Sequence, residues 1–369
     1  MGKGSVYPSE SSSWVQTHAH SIVRQVTDHP SIHHHPFFYI PAYDDEMARL
    51  IFISHRTGQP EIFAEIRGSQ RLLQLTQHDR LSEWSITPSH DGRHVYFTDD
   101  SGAWRVHTDS LREEQLADLG DAEIREKGMV AAAMGTTALS YDDNWWAIPV
   151  KTGTVTRFVL IDTRSGSQQV ILECDQIGHP EFHPNDSNLL RYAGRYDNRL
   201  WVINRDGSDD RLVYKRNRER KEWIVHETWN PSARELLAVN WPHGVIGVDI
   251  DSGDVRSVTE FCAWHPMIRP QGSLMVADTN FPDTGLHCFD PHDGAGKPRR
   301  LCTSGSSNVG AHWNTSHCPY DDGPVQVYAP QHTHPHPCFS PDGRRVVFTS
   351  DRTGQAQVYE CLLEESFLE

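Results

Sequence analysis

The segment RLIFISHRTGQPEIFAEI at residues 49–66 returns near the other end of the chain as RRVVFTSDRTGQAQVYEC at residues 344–361. The two copies share F-x-S-x-R-T-G-Q, at residues 52–59 and 348–355. Each runs from an apolar strand through a polar turn into a second strand rich in Val, Ile, Phe or Tyr. Working inward from the ends, the same pattern recurs as DGRHVYFTDDSGAWRVHT from residue 91 and NDSNLLRYAGRYDNRLWVINRDGS from residue 185. It recurs again as ARELLAVNWPHGVIGVDIDSGDV from residue 233 and QGSLMVADTNFPDTGLHCFD from residue 271. A more degenerate copy covers residues 136–166. These are seven units with a period of about 40–50 residues, the spacing of β-propeller blades.

No segment carries a long 3.6-residue periodicity, so few helices are expected. Closure into a ring hides the strand edges that an open sheet would expose. The last unit lacks a fourth strand beyond its Tyr359 region, and IVRQVT at residues 22–27 can supply it. The fold expected is therefore all-β: a single seven-bladed propeller over residues 1–369, closed by an N-terminal strand. Residues 120–150 are the least regular, and a six- or eight-bladed ring is the competing count.

Composition narrows the function. The chain has 369 residues, 37% of them hydrophobic. No stretch approaches the roughly 20 apolar residues that span a bilayer, and the opening MGKGSVYPSESSSW has no apolar core of a secretory signal. A cytoplasmic location is expected, with no membrane partner. The net charge of −16 argues against nucleic acid, which requires a basic field. Seven cysteines without a CxxC pair read as reduced thiols. There is no Walker loop, GxGxxG, HExxH or GxSxG. The paired acids at 142–143, 209–210 and 321–322 read as solvated turns.

Histidine is the unusual residue, at 23 copies. His179-Pro180, His226-Glu227, His265-Pro266 and His336-Pro337 each open a unit, and His33, His34 and His35 precede the first. A propeller chain enters each blade beside the central channel, so these side chains are expected to converge on one mouth. A histidine that braces a turn would also recur, so local chemistry has to decide between the two readings. That chemistry lies in APQHTHPHPC at residues 329–338, where Gln331, His332, His334 and His336 crowd together. His334 and His336 alternate and would share a side of an extended segment. Neutral imidazoles suit Mn, Fe, Co, Ni or Zn, and an amide oxygen suits a harder ion such as Mn²⁺. With His265, this loop would make an incomplete shell with room for a substrate oxygen. A His-rich surface loop is the plainer alternative.

The run Gln331-x-x-His334-x-His336, the following FSPDGRRVVFTSDRTG, and His265 in the unit before resemble the oligogalacturonate lyases, cytoplasmic seven-bladed propellers of polysaccharide lyase family 22. The likeness extends to the opening MGKGSVYPSE, to RLIFISHRTGQPEIF and to RLWVINRDGS at residues 199–208. It implies a Mn²⁺ ion held by His265, Gln331, His334 and His336. It implies His226 as the base, and Arg199 at the substrate carboxylate and departing oxygen, with Arg191, Arg195 and Arg205 as rivals. Arg199 and His179 are the expected substrate-binding pair. The implied reaction is β-elimination on short α-1,4-linked oligogalacturonates such as digalacturonate, as in pectin degradation. A neutral histidine removes the C5 proton, positive groups offset the developing charge, and the C4 oxygen leaves behind a 4,5-unsaturated uronate. A lyase for another uronate, or a non-catalytic Tol-like binding propeller, are the alternatives. Oligomeric state is not set by the sequence. Tyr141, Trp145 and Trp146 could stack on a sugar, although tryptophans here are more often blade core. The insertion carrying His312, Trp313, His317 and Tyr320 is expected to overhang the cavity.

Overall fold

The structure is a computed structural model and describes all residues except 1, 17–20, 101, 121–134, 280–281, 295–296, 308–320, 322–329 and 368–369. Seven antiparallel sheets follow one another along the chain. Among the described residues, helix is confined to 3-10 turns such as Glu83–Ser85 and Gln331–Thr333. The inner strands, in order, are His33–His34, Thr87–Pro88, Ala138–Leu139, Gly178–His183, Trp223–Trp229, Met267–Ile268 and Cys338–Phe339. They open blades I to VII.

A short side-chain motif makes the turn out of several inner strands. Ser89, Ser140 and Ser340 each donate a hydroxyl to an aspartate two residues on, at 2.8, 2.5 and 2.5 Å. Each also accepts the backbone N–H five residues on. Serine and aspartate thus satisfy the turn locally. In blades II and VII the turn is completed by Gly92 and Gly343, both at positive φ.

Strands of the middle blades are buried on both faces, so they read as near-continuous apolar runs rather than simple alternation. In blade V, Leu236 and Ala238 pack toward blade IV with Leu189 and Val202. Their neighbours Leu237 and Val239 pack toward blade VI with Met275 and Phe289. One strand therefore serves two interblade cores by its period of two. A fully buried leucine in such a layer contributes about 1.5–3 kcal/mol.

The ring closes as expected. Ser21–Gln25 pairs with Gln357–Leu362, with Ile22 opposite Leu362 and Val23 opposite Cys361. Arg24 of that strand bonds Glu360 at 2.5 Å and also Glu65 of blade I. Arg67 at 2.9 Å and the Tyr43 hydroxyl at 2.6 Å bond the same buried Glu360. Two further N-terminal strands were not foreseen. Ser12–Gln16 adds outside Ser21–Gln25, and Val6–Tyr7 adds to the rim of blade I. The six described cysteines are free thiols.

The closing strand makes a direct test of register. Val23 is fully buried, whereas its neighbour Ile22 is 45% exposed. Val23→Ala is expected to lower the unfolding free energy by about 2 kcal/mol, and Ile22→Ala by no more than about 0.5 kcal/mol. Equal losses in denaturant titrations would contradict this register.

Candidate functional site: a histidine hub

Five histidines meet where the inner strands converge. His179 and His226 lie within the inner strands of blades IV and V, and the ladder register slips at both, between Gly178 and Glu181 and between Val225 and Thr228. Backbone φ is +45° at His179, +47° at His226 and +46° at His336. Non-glycine residues seldom occupy this left-handed region, and they do so mostly where surrounding structure imposes it. The bulges re-aim the side chains from the strand face into the hub.

Ring centres are 6.4 Å apart for His179 and His226, 4.3 Å for His226 and His265, and 4.2 Å for His265 and His336. His334 completes the group, 5.6 Å from His265 and 5.5 Å from His336. Nitrogen atoms of His265, His334 and His336 all lie within 4.8 Å of one another, and all three residues are buried. The convergence expected from unit phase is thus present, but its local cause differs from simple alternation. Gln331–Thr333 is a 3-10 turn, closed by the His334 N–H on the Gln331 carbonyl at 3.0 Å. His334 follows that turn, and the left-handed bend at His336 brings the two rings into a stack. Gln331 opens the turn and is buried.

Hydrogen bonds fix which nitrogen of each ring carries the hydrogen. The Nδ1 of His226 faces the Trp264 carbonyl at 2.6 Å. A carbonyl only accepts, so Nδ1 holds the hydrogen and Nε2 keeps a lone pair. His265 is gripped twice by buried Asp278, whose two oxygens accept its backbone N–H and its Nδ1, both at 2.8 Å. Its Nε2 is thereby left with a lone pair. His35 bonds the His336 carbonyl through Nε2 at 2.7 Å and Thr349 through Nδ1 at 2.8 Å, bracing the strained residue.

Burial governs the protonation of the hub. It lowers His226, His265 and His336 well below the ordinary imidazole value, and their mutual repulsion adds to the effect. Burial also lowers His179 to about 4, and it pushes the Asp278 carboxyl up against the backbone N–H groups of His265 and His336, which favour the carboxylate. These four rings are therefore neutral, the form that binds metals and accepts protons.

A second layer holds Arg199. Its Nε donates to Glu227 at 3.0 Å and its Nη2 to His179 Nδ1 at 3.0 Å. His179 accordingly carries its hydrogen on Nε2. Burial acts to raise the Glu227 carboxyl, but the guanidinium groups of Arg199 and Arg191 outweigh it and hold it well below the usual range. Arg191 is fully buried and is spent on Glu181, Glu227 and the His179 carbonyl. Arg195 lies outside, paired with Asp175, and Arg205 covers Trp145. Among these four arginines, only Arg199 touches a hub histidine ring.

Several features were missed from sequence. Asp278 stands where the first and last blades carry Ile53 and Thr349, and that replacement was the available signal. Phe37, Phe38 and Tyr39 form a plug through the ring. Phe37 lies 5.0 Å from His179 and 4.9 Å from His336, and Phe38 lies 5.4 Å from His265. The signal was a connection too long for a hairpin, between His33–His34 and Arg49–Ser54. Tyr39 and Pro41 also line a cavity of about 350 Å³ with Pro180, Trp229 and Phe339. Tyr141 lines this cavity too, Trp146 is buried in the blade core and Trp145 is partly buried, so none joins the histidines. The insertion with His312, Trp313, His317 and Tyr320 lies outside the described residues.

Comparison with known proteins agrees with this architecture. The chain is 27% identical to the oligogalacturonate lyase of Dickeya dadantii (strain 3937) over 93% of its length and 94% of the relative's. It is 24% identical to the oligogalacturonide lyase of Pectobacterium atrosepticum, over 99% of both chains. A solved oligogalacturonate lyase in complex with manganese superposes with a TM-score of 0.81, at 22% identity and full coverage of both chains, which shows a shared fold. The family described as oligogalacturonate lyase matches residues 1–367. With the match running almost end to end, the chain belongs to the oligogalacturonate lyase family.

Proposed function

We propose that the chain, working as one domain over residues 1–369, cleaves short α-1,4-linked oligogalacturonates by metal-dependent β-elimination. The observation that carries this reading is the buried cluster of neutral imidazoles beside an arginine held on a buried carboxylate. The residues fit a divalent ion such as Mn²⁺. His265, His334 and His336 bring nitrogens within 4.8 Å of one another, and His336 Nε2 is a buried atom without a hydrogen-bond partner. Gln331, buried at the start of the turn that leads to His334, would add an amide oxygen, which favours a hard ion. Asp278 behind His265 matches the carboxylate–histidine pairing common behind metal ligands. When bound, such an ion supplies Lewis acidity toward the carboxylate on C5.

The remaining chemistry belongs to the chain. His226 Nε2 takes the C5 proton, while its Nδ1–H on Trp264 keeps the lone pair aimed into the hub. Arg199 pairs with the uronate carboxylate, and Glu227 fixes the guanidinium before the substrate arrives. The Nε2–H of His179 is a donor for the departing C4 oxygen. The two rings are nearly parallel and 6.4 Å apart, which leaves room for the C4–C5 bond between them. A cytoplasmic site of action is part of this reading. Among the described residues, no helix is long and apolar enough to cross a membrane.

The decisive experiment follows the absorbance of the unsaturated uronate during incubation with digalacturonate. EDTA should abolish the signal and added Mn²⁺ restore it. His226→Ala should lower kcat by about 10²–10⁴-fold with metal content unchanged. No product from digalacturonate at any metal loading would refute the proposal. The pH profile has a definite sign. His226 has a pKa below its ordinary value, so it stays unprotonated at pH 6.5 and activity falls only at lower pH. The acid limb of kcat/KM should therefore lie below pH 6.5, and a limb at or above that value would contradict the assignment. Asp278→Ala should weaken Mn²⁺ binding about 10–100-fold in a metal titration.

A further inference from the structure

Outside the hub, a second group of metal-ligating side chains lies on the rim between blades I and II. His34 ends the first inner strand, His55 follows Arg49–Ser54, and Glu83 opens the 3-10 turn Glu83–Ser85. One ligand atom from each lies within 4.8 Å of the other two. We propose that His34, His55 and Glu83 form a second divalent-cation site, of zinc type, separate from the hub.

Three observations support it. The first is spacing. Glu83 Oε2 is 2.7 Å from His55 Nε2 and 3.3 Å from His34 Nε2. A tetrahedral ion with bonds of about 2.0–2.2 Å holds its ligand atoms about 3.3 Å apart, so the cluster needs only a slight opening. The second is hydrogen accounting. His34 Nδ1 faces the His35 carbonyl at 3.0 Å and so carries the hydrogen. Nε2, 3.3 Å from Glu83 Oε2, is then the nitrogen placed to face a cation. The third is shape. The His34 ring is stacked on Trp84, centre to centre 4.3 Å, and is buried. The side chains of His55 and Glu83 remain 26% and 29% exposed, which gives the ion an entry path and leaves a position for water. Two imidazoles and one carboxylate are the donor set of three-ligand zinc sites with an open fourth position.

This inference does not depend on the manganese reading of the hub, and the test separates them. The purified chain is stripped of metal, loaded with Zn²⁺ alone and desalted. Bound zinc is measured by mass spectrometry, affinity by competition with a chromophoric chelator, and folding by circular dichroism. The wild type should hold about two equivalents, one in each site. His55→Ala and Glu83→Gln should each retain about one, His334→Ala about one, and the His55→Ala/His334→Ala pair none. A wild type that holds a single equivalent, lost in His55→Ala, would support the rim site and count against the hub. Folded His55→Ala and Glu83→Gln chains with wild-type stoichiometry and affinity would overturn the rim site and leave His34, His55 and Glu83 a plain hydrogen-bonded trio.

Discussion

Removal of water from five imidazoles is the constraint on which the site depends. Histidine in water is divided between two charge states near neutrality, but the hub permits one. Three of the rings are then assigned a direction by what sits behind them: Trp264 for His226, Asp278 for His265, Arg199 for His179. Neutrality without such partners would leave the tautomers mixed. Partners without burial would leave the rings free to charge and repel one another. The site needs both, and the blade-entry geometry provides both together.

Strain is part of the same arrangement. Three hub residues lie in left-handed backbone, and His35 and the bulged ladders hold them there. Such a conformation costs of order 1–3 kcal/mol per residue and persists only where surrounding structure imposes it. Seven packed blades can meet that requirement, since each strand is locked between two interblade cores. Arg199 is positioned in a comparable way. Glu227 is fixed by Arg191 from one side and fixes Arg199 from the other.

The legible part of the molecule is the part that repeats. Apolar strands, Ser-x-Asp turns and the F-x-S-x-R-T-G-Q copies are local patterns, and local patterns survive in a linear text. The closing strand was readable because one unit fell short by one element. Val6–Tyr7 and Ser12–Gln16 escaped because they are short, and their pairing is decided by available sheet edges. His179, His226, His265 and His336 were recognisable from their phase within the units, and His334 from its alternation with His336. Their backbone conformation was not, because a left-handed residue without glycine leaves no mark in composition. Asp278 and Glu227 escaped for a different reason. A buried acid looks like a surface acid until its partners are known, and those partners come from distant sequence.

The pairing of Val23 with Cys361 has a bearing on biosynthesis. Ser21–Gln25 is made before the strand of blade VII that it pairs with, and it must wait for that blade before it finds this neighbour. Until then the seven sheets form an open arc, and the contacts that seal it are strongly non-local. Closure of the circle therefore follows the synthesis of blade VII.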